Sequence, residues 1–292
     1  MQKIKIGVVG LGGIGGLLAV LLRCAGYEVF SNKRIKEKKI SINLSSKYYG
    51  NLRASIKINK TLNNVDVIFI CSKFSYLEDS IKDLNNKRAL IFPFLNGLAH
   101  FDILKKKFLN NVYFSNIGKI VSKKIAERKI LHSSKNRPEV LISSENKNKI
   151  KIIVNILKRI NFDIKVINSD TKVIWMKLIR LSSISALTAV YDCNLGKIRR
   201  SKIKMRKLEN LVREGLHLAK LLYNFNKSFR SVMKEISKLP SNLTTSLQRD
   251  INNKFNTKSE IETQIGAIYK LGVKNKIPLK TTSQIYKLLN KK

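Results

Sequence analysis

The sequence predicts an α/β chain in two parts: a doubly wound parallel sheet over residues 1–168, then an all-α domain over residues 169–292. Three observations carry this. Six of the 14 glycines fall within the ten residues 7–16. Runs of β-branched and aromatic residues then recur to about residue 168, the pattern of strands buried on both faces. Beyond that point apolar residues return at helical spacing.

Residues 3–9 form a short β-branched strand. Gly10-Leu11-Gly12-Gly13-Ile14-Gly15 follows, and residues 16–25 form an apolar helix with Gly26 as its C-cap. A G-x-G-x-x-G motif between a strand and a helix marks a Rossmann-type dinucleotide site. Gly10 allows the tight turn, Gly12 lets the backbone approach a pyrophosphate, and Gly15 lets the helix pack on the strand. The helix N-terminus then offers its unpaired N–H groups to the phosphates. Lys3 and Lys5 ahead of an apolar run to Leu22 also outline a secretion signal. Glycines weaken such a segment, and Arg23 stands where small residues would be needed.

The second strand starts at Gly26-Tyr27-Glu28-Val29-Phe30. In NAD-binding versions an acidic residue at its end holds the ribose 2′-hydroxyl. Here Glu28 comes too early, and Ser31-Asn32-Lys33-Arg34 follow with no acid before Glu37. Donors and cations suit a 2′-phosphate, so NADP(H) is the expected cofactor. Residues 65–71 form a buried strand ending in Ser72-Lys73, and residues 89–94 another, stopped by Leu95-Asn96-Gly97. Lys73 and Asn96 thus stand at strand ends, where open α/β sheets bind ligands. Strands are also expected at 112–116, around Leu131, at 140–143 and at 164–168, with an amphipathic helix at 147–160.

Residues 170–190 are apolar on most faces, which predicts a buried helix, and Lys177 lies in its middle. Such a lysine is either a snorkelling side chain or a group whose proton affinity burial has lowered. Further helices are expected at 202–224, 229–236, 259–274 and 281–289, with Gly272 and Pro278 bracketing the last connection.

The charge is extreme: 58 Lys+Arg against 19 Asp+Glu, a net +39. Such a field attracts polyanions. The cations run along the whole chain rather than gathering in one arm, so a solvated basic surface is expected rather than a specific nucleic-acid site. No stretch of about 18 uncharged apolar residues appears, so no membrane span is expected. Cys24, Cys71 and Cys193 each lie in an apolar segment, as buried free thiols of a reducing cytoplasm would. His100, His132 and His217 are isolated, so no metal site is expected.

The chain resembles the ketopantoate reductase (2-dehydropantoate 2-reductase) family almost end to end. The glycine motif, Arg34, Lys73 and Leu95-Asn96-Gly97 fall where that family has corresponding residues. So do Trp175-Met176-Lys177-Leu178, Leu187-Thr188-Ala189, Ser246-Leu247-Gln248-Arg249-Asp250, Ser259-Glu260-Ile261-Glu262 and Pro278. The resemblance implies NADPH-dependent reduction of ketopantoate to (R)-pantoate, toward pantothenate and coenzyme A. It implies Lys177 as general acid, Asn96 near the nicotinamide and Lys177, and Arg34 on the 2′-phosphate. Glu260 would accept a hydrogen bond from the substrate hydroxyl. Ser246, with Asn242, would hold the substrate carboxylate. It implies a small 2-oxo acid as partner, a monomer or homodimer, and a cytoplasmic enzyme. Leu181 and Ser185 depart from the family, which carries asparagines four and eight residues after the lysine. They leave open another small 2-oxo acid as substrate, and the charge leaves open a catalytically weak NADP- or polyanion-binding protein.

Overall fold

The computed structural model describes residues 4–33, 35–143, 147–253 and 258–291. Two compact units result. One comprises Met1–Leu95 with His100–Val173, the other Asn96–Ala99 with Ile174–Lys292.

The first unit opens with β1 (Lys5–Val9), buried except at its first residue, and α1 (Gly13–Cys24). The helix starts three residues earlier than the sequence predicts. Gly12 takes an extended N-cap conformation (φ −81°, ψ −159°), and the Gly16 amide already donates to the Gly12 carbonyl at 2.8 Å. Then come β2 (Glu28–Ser31), β3 (Lys39–Ser46), β4 (Gly50–Ile58), β5 (Val67–Ile70), α2 (Leu77–Ile81), β6 (Leu90–Pro93) and α3 (Ala99–Phe108). The remainder is β7 (Ser115–Gly118), β8 (Ser122–Ala126), β9 (Lys129–His132), β10 (Glu139–Ser143), α4 (Lys147–Arg159) and β11 (Asp163–Ile167).

Eight strands form one sheet in the order β6-β5-β1-β2-β4-β3-β9-β8. β1 pairs in parallel with β2 on one side and β5 on the other. The chain therefore winds outward in one direction and returns to wind in the other. The strand order reverses at β1 and β5, and in open sheets ligands bind beyond the carboxyl ends at such a point. α1 packs Leu17, Leu18 and Leu22 into a core with Ile6, Val8, Val29 and Ile56, all buried.

Two antiparallel hairpins extend the sheet. β3 and β4 pair along their length, turning Ile40, Ile42 and Leu44 inward while Lys39 and Asn43 stay out. β8 and β9 form the other, joined to β3 through β9. The sequence predicts neither hairpin, except for a strand near Leu131. The later strands do not continue the large sheet. β7, β10 and β11 form a separate three-stranded sheet, linked to β6 by one isolated parallel pair, Ile91 with Val112. The strand expected at 112–116 accordingly begins at Ser115.

The second unit is helical. α5 (Asp170–Val190) lies in it from Ile174 onward. It is followed by α6 (Leu195–Arg200), α7 (Lys202–Tyr223), α8 (Phe229–Ser237), α9 (Ser246–Asn252), α10 (Lys258–Thr263), α11 (Ile265–Lys274) and α12 (Lys280–Leu289). Trp175, Leu178, Ile179 and Leu187 of α5 share a core with Leu208, Leu211 and Val212 of α7. By length and composition α5 could cross a bilayer, but most of that stretch is buried within the protein. Its interior hydroxyls are satisfied by carbonyls of the preceding turn: Ser183 donates to Ile179 at 2.8 Å and Thr188 to Ser185 at 3.2 Å. The single helix expected over 259–274 is two helices, broken at Gln264 (φ −103°, ψ −97°). Of the cysteines, Cys193 is buried and Cys71 half-buried, but Cys24 is exposed, because it ends α1 beyond the packed face.

α12 has no capping side chain of its own. Glu214 of α7 caps it instead, accepting from the amides of Thr281 and Thr282 at 2.8 Å each and from the Thr282 hydroxyl at 2.7 Å. A carboxylate at a helix N-terminus also meets the positive end of the dipole. Glu214→Ala is expected to lower stability by about 1–3 kcal/mol, read as a fall in the denaturation midpoint at unchanged slope.

Candidate active site

Each glycine of the motif has a separate physical reason. Gly10 has φ +87°, and a Cβ there would lie 2.6 Å from the Ser72 amide nitrogen, so the turn out of β1 fits against the end of β5 only without a side chain. At Gly15 a Cβ would lie 2.0 Å from the Gly10 carbonyl oxygen and 2.9 Å from the Cys71 Cβ, which is the close helix–strand packing the motif demands. At Gly12 a Cβ would meet nothing within 4 Å among the described residues beyond its chain neighbours. The open side of the loop is therefore at Gly12, at the start of α1, whose first turn carries no acid and no side-chain cap. These residues fit a dinucleotide pyrophosphate.

Gly13 has a reason the sequence does not show. Its Cβ would come within 2.3 Å of the Ser122 carbonyl oxygen, and the Ser122 hydroxyl donates to the Gly13 carbonyl at 2.8 Å. The β8 strand thus braces the loop from the side. Only long-range strand pairing brings Ser122 there, so no local motif could reveal it.

At the end of β2 the donor set is partly engaged. Glu28 pairs with Lys57 at the start of the strand. The Asn32 amide donates to the Ser80 carbonyl at 2.5 Å, and Lys33 lies 3.4 Å from Glu127. Ser31 is buried. Arg34 lies outside the described residues. Lys73 is exposed directly after β5, where its carbonyl accepts the Tyr76 amide at 3.0 Å.

The remaining sequence-predicted residues fall in the second unit. Lys177 is half-buried in α5. Burial pulls its ammonium down from the ordinary 10.5 to about 8, and the neighbouring Arg180 guanidinium adds to the effect. Leu181 and Ser185, four and eight residues on, share its helix face. Leu181 is half-buried and Ser185 buried. Glu260 is half-buried in α10. Asn96 is exposed, and the next residue, Gly97, has φ +92°. A Cβ on Gly97 would lie 2.1 Å from the Thr263 carbonyl oxygen, so the Asn96-Gly97 turn rests on the end of α10.

Asn242 and Ser246 lie in the segment before and at the start of α9. Asn242 is exposed and Ser246 half-buried. The N-cap is Thr245, which accepts from the Gln248 amide at 3.3 Å and meets the Thr188 hydroxyl at 2.9 Å. The segment is held to α6 by backbone bonds, from Leu195 to the Leu243 carbonyl and from Gly196 to the Ser241 carbonyl.

A glycine loop at the reversal of a parallel sheet defines a Rossmann-type dinucleotide unit, and the family whose profiles match this unit and the helical one is of NADP-dependent oxidoreductases acting on a CH–OH group. The chain belongs to the ketopantoate reductase family. The family profile described as Ketopantoate reductase PanE/ApbA matches residues 6–153, and that described as Ketopantoate reductase PanE/ApbA C terminal matches residues 171–292. An uncharacterized oxidoreductase of Bacillus subtilis (strain 168), YkpB, is 25% identical over 222 residues, covering 72% of this chain and 73% of that one. Among solved structures, D-mandelate dehydrogenase with NADH and anilino(oxo)acetate superposes with a TM-score of 0.86 at 18% identity, covering 99% and 98% of the two chains. A PanE/ApbA family ketopantoate reductase from Ralstonia eutropha JMP134 superposes at 0.84 with 17% identity, covering 98% and 97%. At these identities the superpositions speak to the fold.

Proposed function

We propose that the protein reduces 2-dehydropantoate to (R)-pantoate with NADPH, and that Lys177 supplies the proton. The observation that carries the reading is Lys177 itself: a lysine held in an apolar helix of a family reductase, with its proton affinity lowered to about 8. Held at the glycine loop, a reduced dinucleotide would supply the hydride for the substrate's 2-oxo carbon. The carbonyl oxygen then gains alkoxide character, and a positioned ammonium both stabilises that charge and gives up its proton to it. At neutral pH an ordinary lysine would be a poor proton donor, whereas one near 8 is well matched. Asn96 and Glu260 belong to the same site in this reading, Asn96 toward the nicotinamide and Glu260 accepting from the substrate hydroxyl. Ser246, with Asn242, faces the substrate carboxylate. The missing acid at the end of β2, with Arg34 beyond it, supports NADPH over NADH. Lys73 supports the dinucleotide from the end of β5.

Leu181 favours a second reading of the substrate. It presents an apolar side chain on the Lys177 face, and the Ser185 hydroxyl two turns on is already engaged at 2.6 and 2.7 Å. A 2-oxo acid with an apolar side chain would suit that face. The test follows NADPH absorbance with ketopantoate, alongside NADH and a panel of branched and aromatic 2-oxo acids. NADPH is expected to exceed NADH in kcat/KM by about tenfold or more, as loss of a charged phosphate contact implies. Turnover of ketopantoate above the others supports the first reading. Preference for an apolar 2-oxo acid supports the second, and no turnover of any of them overturns both.

A further inference from the structure

Gln264 is 1% exposed, yet it carries a primary amide at the α10–α11 joint, between Ile261 and Ile265 of the helical core. Burying an amide is unfavourable unless it is hydrogen-bonded, and methionine would fill a similar volume without that cost. Its side-chain oxygen accepts from the Ser185 hydroxyl of α5 at 2.6 Å. Ser185 is also 1% exposed, and its hydroxyl already lies 2.7 Å from the Leu181 carbonyl in its own helix. The serine would be satisfied without the glutamine. The bond therefore does more for the placement of α10 than for Ser185.

What α10 carries gives the bond its consequence. Glu260 lies one turn before Gln264, and the Gln264 backbone N–H donates to the Glu260 backbone carbonyl at 3.2 Å. Lys177 lies two turns before Ser185 on the same face of α5. The Ser185–Gln264 bond thus joins the stripe bearing Lys177 to the stripe bearing Glu260. α10 has only six residues, and its helix does not continue into α11 because Gln264 breaks it. The same joint supports Asn96, since Gly97 rests on the Thr263 carbonyl. We propose that Gln264 is a positioning residue, which through Ser185 sets α10 on α5 and thereby places Glu260 and Asn96 relative to Lys177.

The proposal rests on the reductase reading of the site. Its test uses the whole chain with Gln264→Met, Ser185→Ala and the double variant. Gln264→Met is expected to melt cooperatively and bind NADPH as the parent does. Its kcat should fall by about ten- to a hundredfold with KM for NADPH unchanged, the size expected from misplacing a site by about 1 Å. The double variant should be no worse than the worse single one, because both remove the same link. A second readout needs no turnover. The Lys177 titration, followed by NMR of lysine-labelled chain and assigned by its absence in Lys177→Met, should move in Gln264→Met. Unchanged kcat and unchanged Lys177 titration overturn the proposal. So does a loss confined to melting temperature, with kcat kept by the folded enzyme. A parent chain that reduces no 2-oxo acid overturns the reductase reading instead, and the NMR titration still decides the role of Gln264.

Discussion

Lys177→Met is expected to slow turnover by orders of magnitude and to make the protein more stable. The two effects share one cause. Burial, reinforced by Arg180, holds the Lys177 ammonium near 8 against an ordinary 10.5. The unfolded chain therefore binds that proton more tightly than the folded one. Below pH 8 the folded state carries the full penalty of a charged group in a poor environment, on the order of 3 kcal/mol. As pH rises from about 8 toward 10.5 the unfolded chain also loses the proton, and the penalty disappears. Methionine keeps most of the side-chain volume and removes the charge. The variant should melt several degrees above the parent at pH 7 and converge on it near pH 10.5. Turnover should fall by about 10²–10⁴-fold, the usual contribution of a positioned general acid. In the parent, kcat/KM for reduction should decline above pH 8 as the donor loses its proton, and the residual rate of the variant should lack that decline. Scanning calorimetry across pH, paired with the pH–rate profile, checks both. A variant less stable than the parent at pH 7 would show that burial does not oppose the Lys177 charge.

Local chemistry was legible in the sequence, and long-range packing was not. The glycine loop is a mechanism written in consecutive residues, so strand, turn and helix could be placed from it, and the two-part α/β class with them. Lys177 is singled out by its Trp175-Met176-Lys177-Leu178 motif, since its place in an apolar helix leaves a snorkelling side chain equally open and Lys172 and Arg180 share that helix. The β3–β4 hairpin was hidden because one of its faces is charged and solvated. Its buried set, Ile40, Ile42 and Leu44, alternates among lysines and serines that occur everywhere in this chain. The helix expected over 259–274 has no glycine or proline at position 264 to mark a break. The break falls where tertiary contacts meet the helix, Gly97 against Thr263 and Ser185 against Gln264. Ser122 likewise reaches the glycine loop only through the β8–β9 pairing. Cys24 is exposed, contrary to its apolar setting, because the run before it continues the helix but not its buried face.

The glycine loop allows folding and cofactor binding to be separated by two substitutions three residues apart. Gly15→Ala is expected to cost about 4 kcal/mol or more, since its Cβ would fall 2.0 Å from the Gly10 carbonyl oxygen, against backbone that cannot rotate aside. Much of this variant should be recovered as aggregate, or melt far below the parent. Gly12→Ala should behave in the opposite way. Its φ of −81° suits alanine, and among the described residues the new methyl group would meet nothing within 4 Å beyond its chain neighbours. Reduced freedom in the unfolded chain favours alanine by about 0.4–1 kcal/mol, while alanine is a poorer N-cap than glycine by a similar amount. The melting temperature should therefore stay close to that of the parent. The methyl group instead occupies the space a pyrophosphate needs to approach the helix N-terminus, so NADPH affinity should fall by about tenfold or more. Calorimetry and fluorescence titration with NADPH on both variants would test the pair. Gly12→Ala with undiminished NADPH affinity would mean that the dinucleotide does not lie across this loop. In that case the open side at Gly12 would lose its explanation, while the packing argument for Gly15 would stand, because it depends only on atoms of the protein.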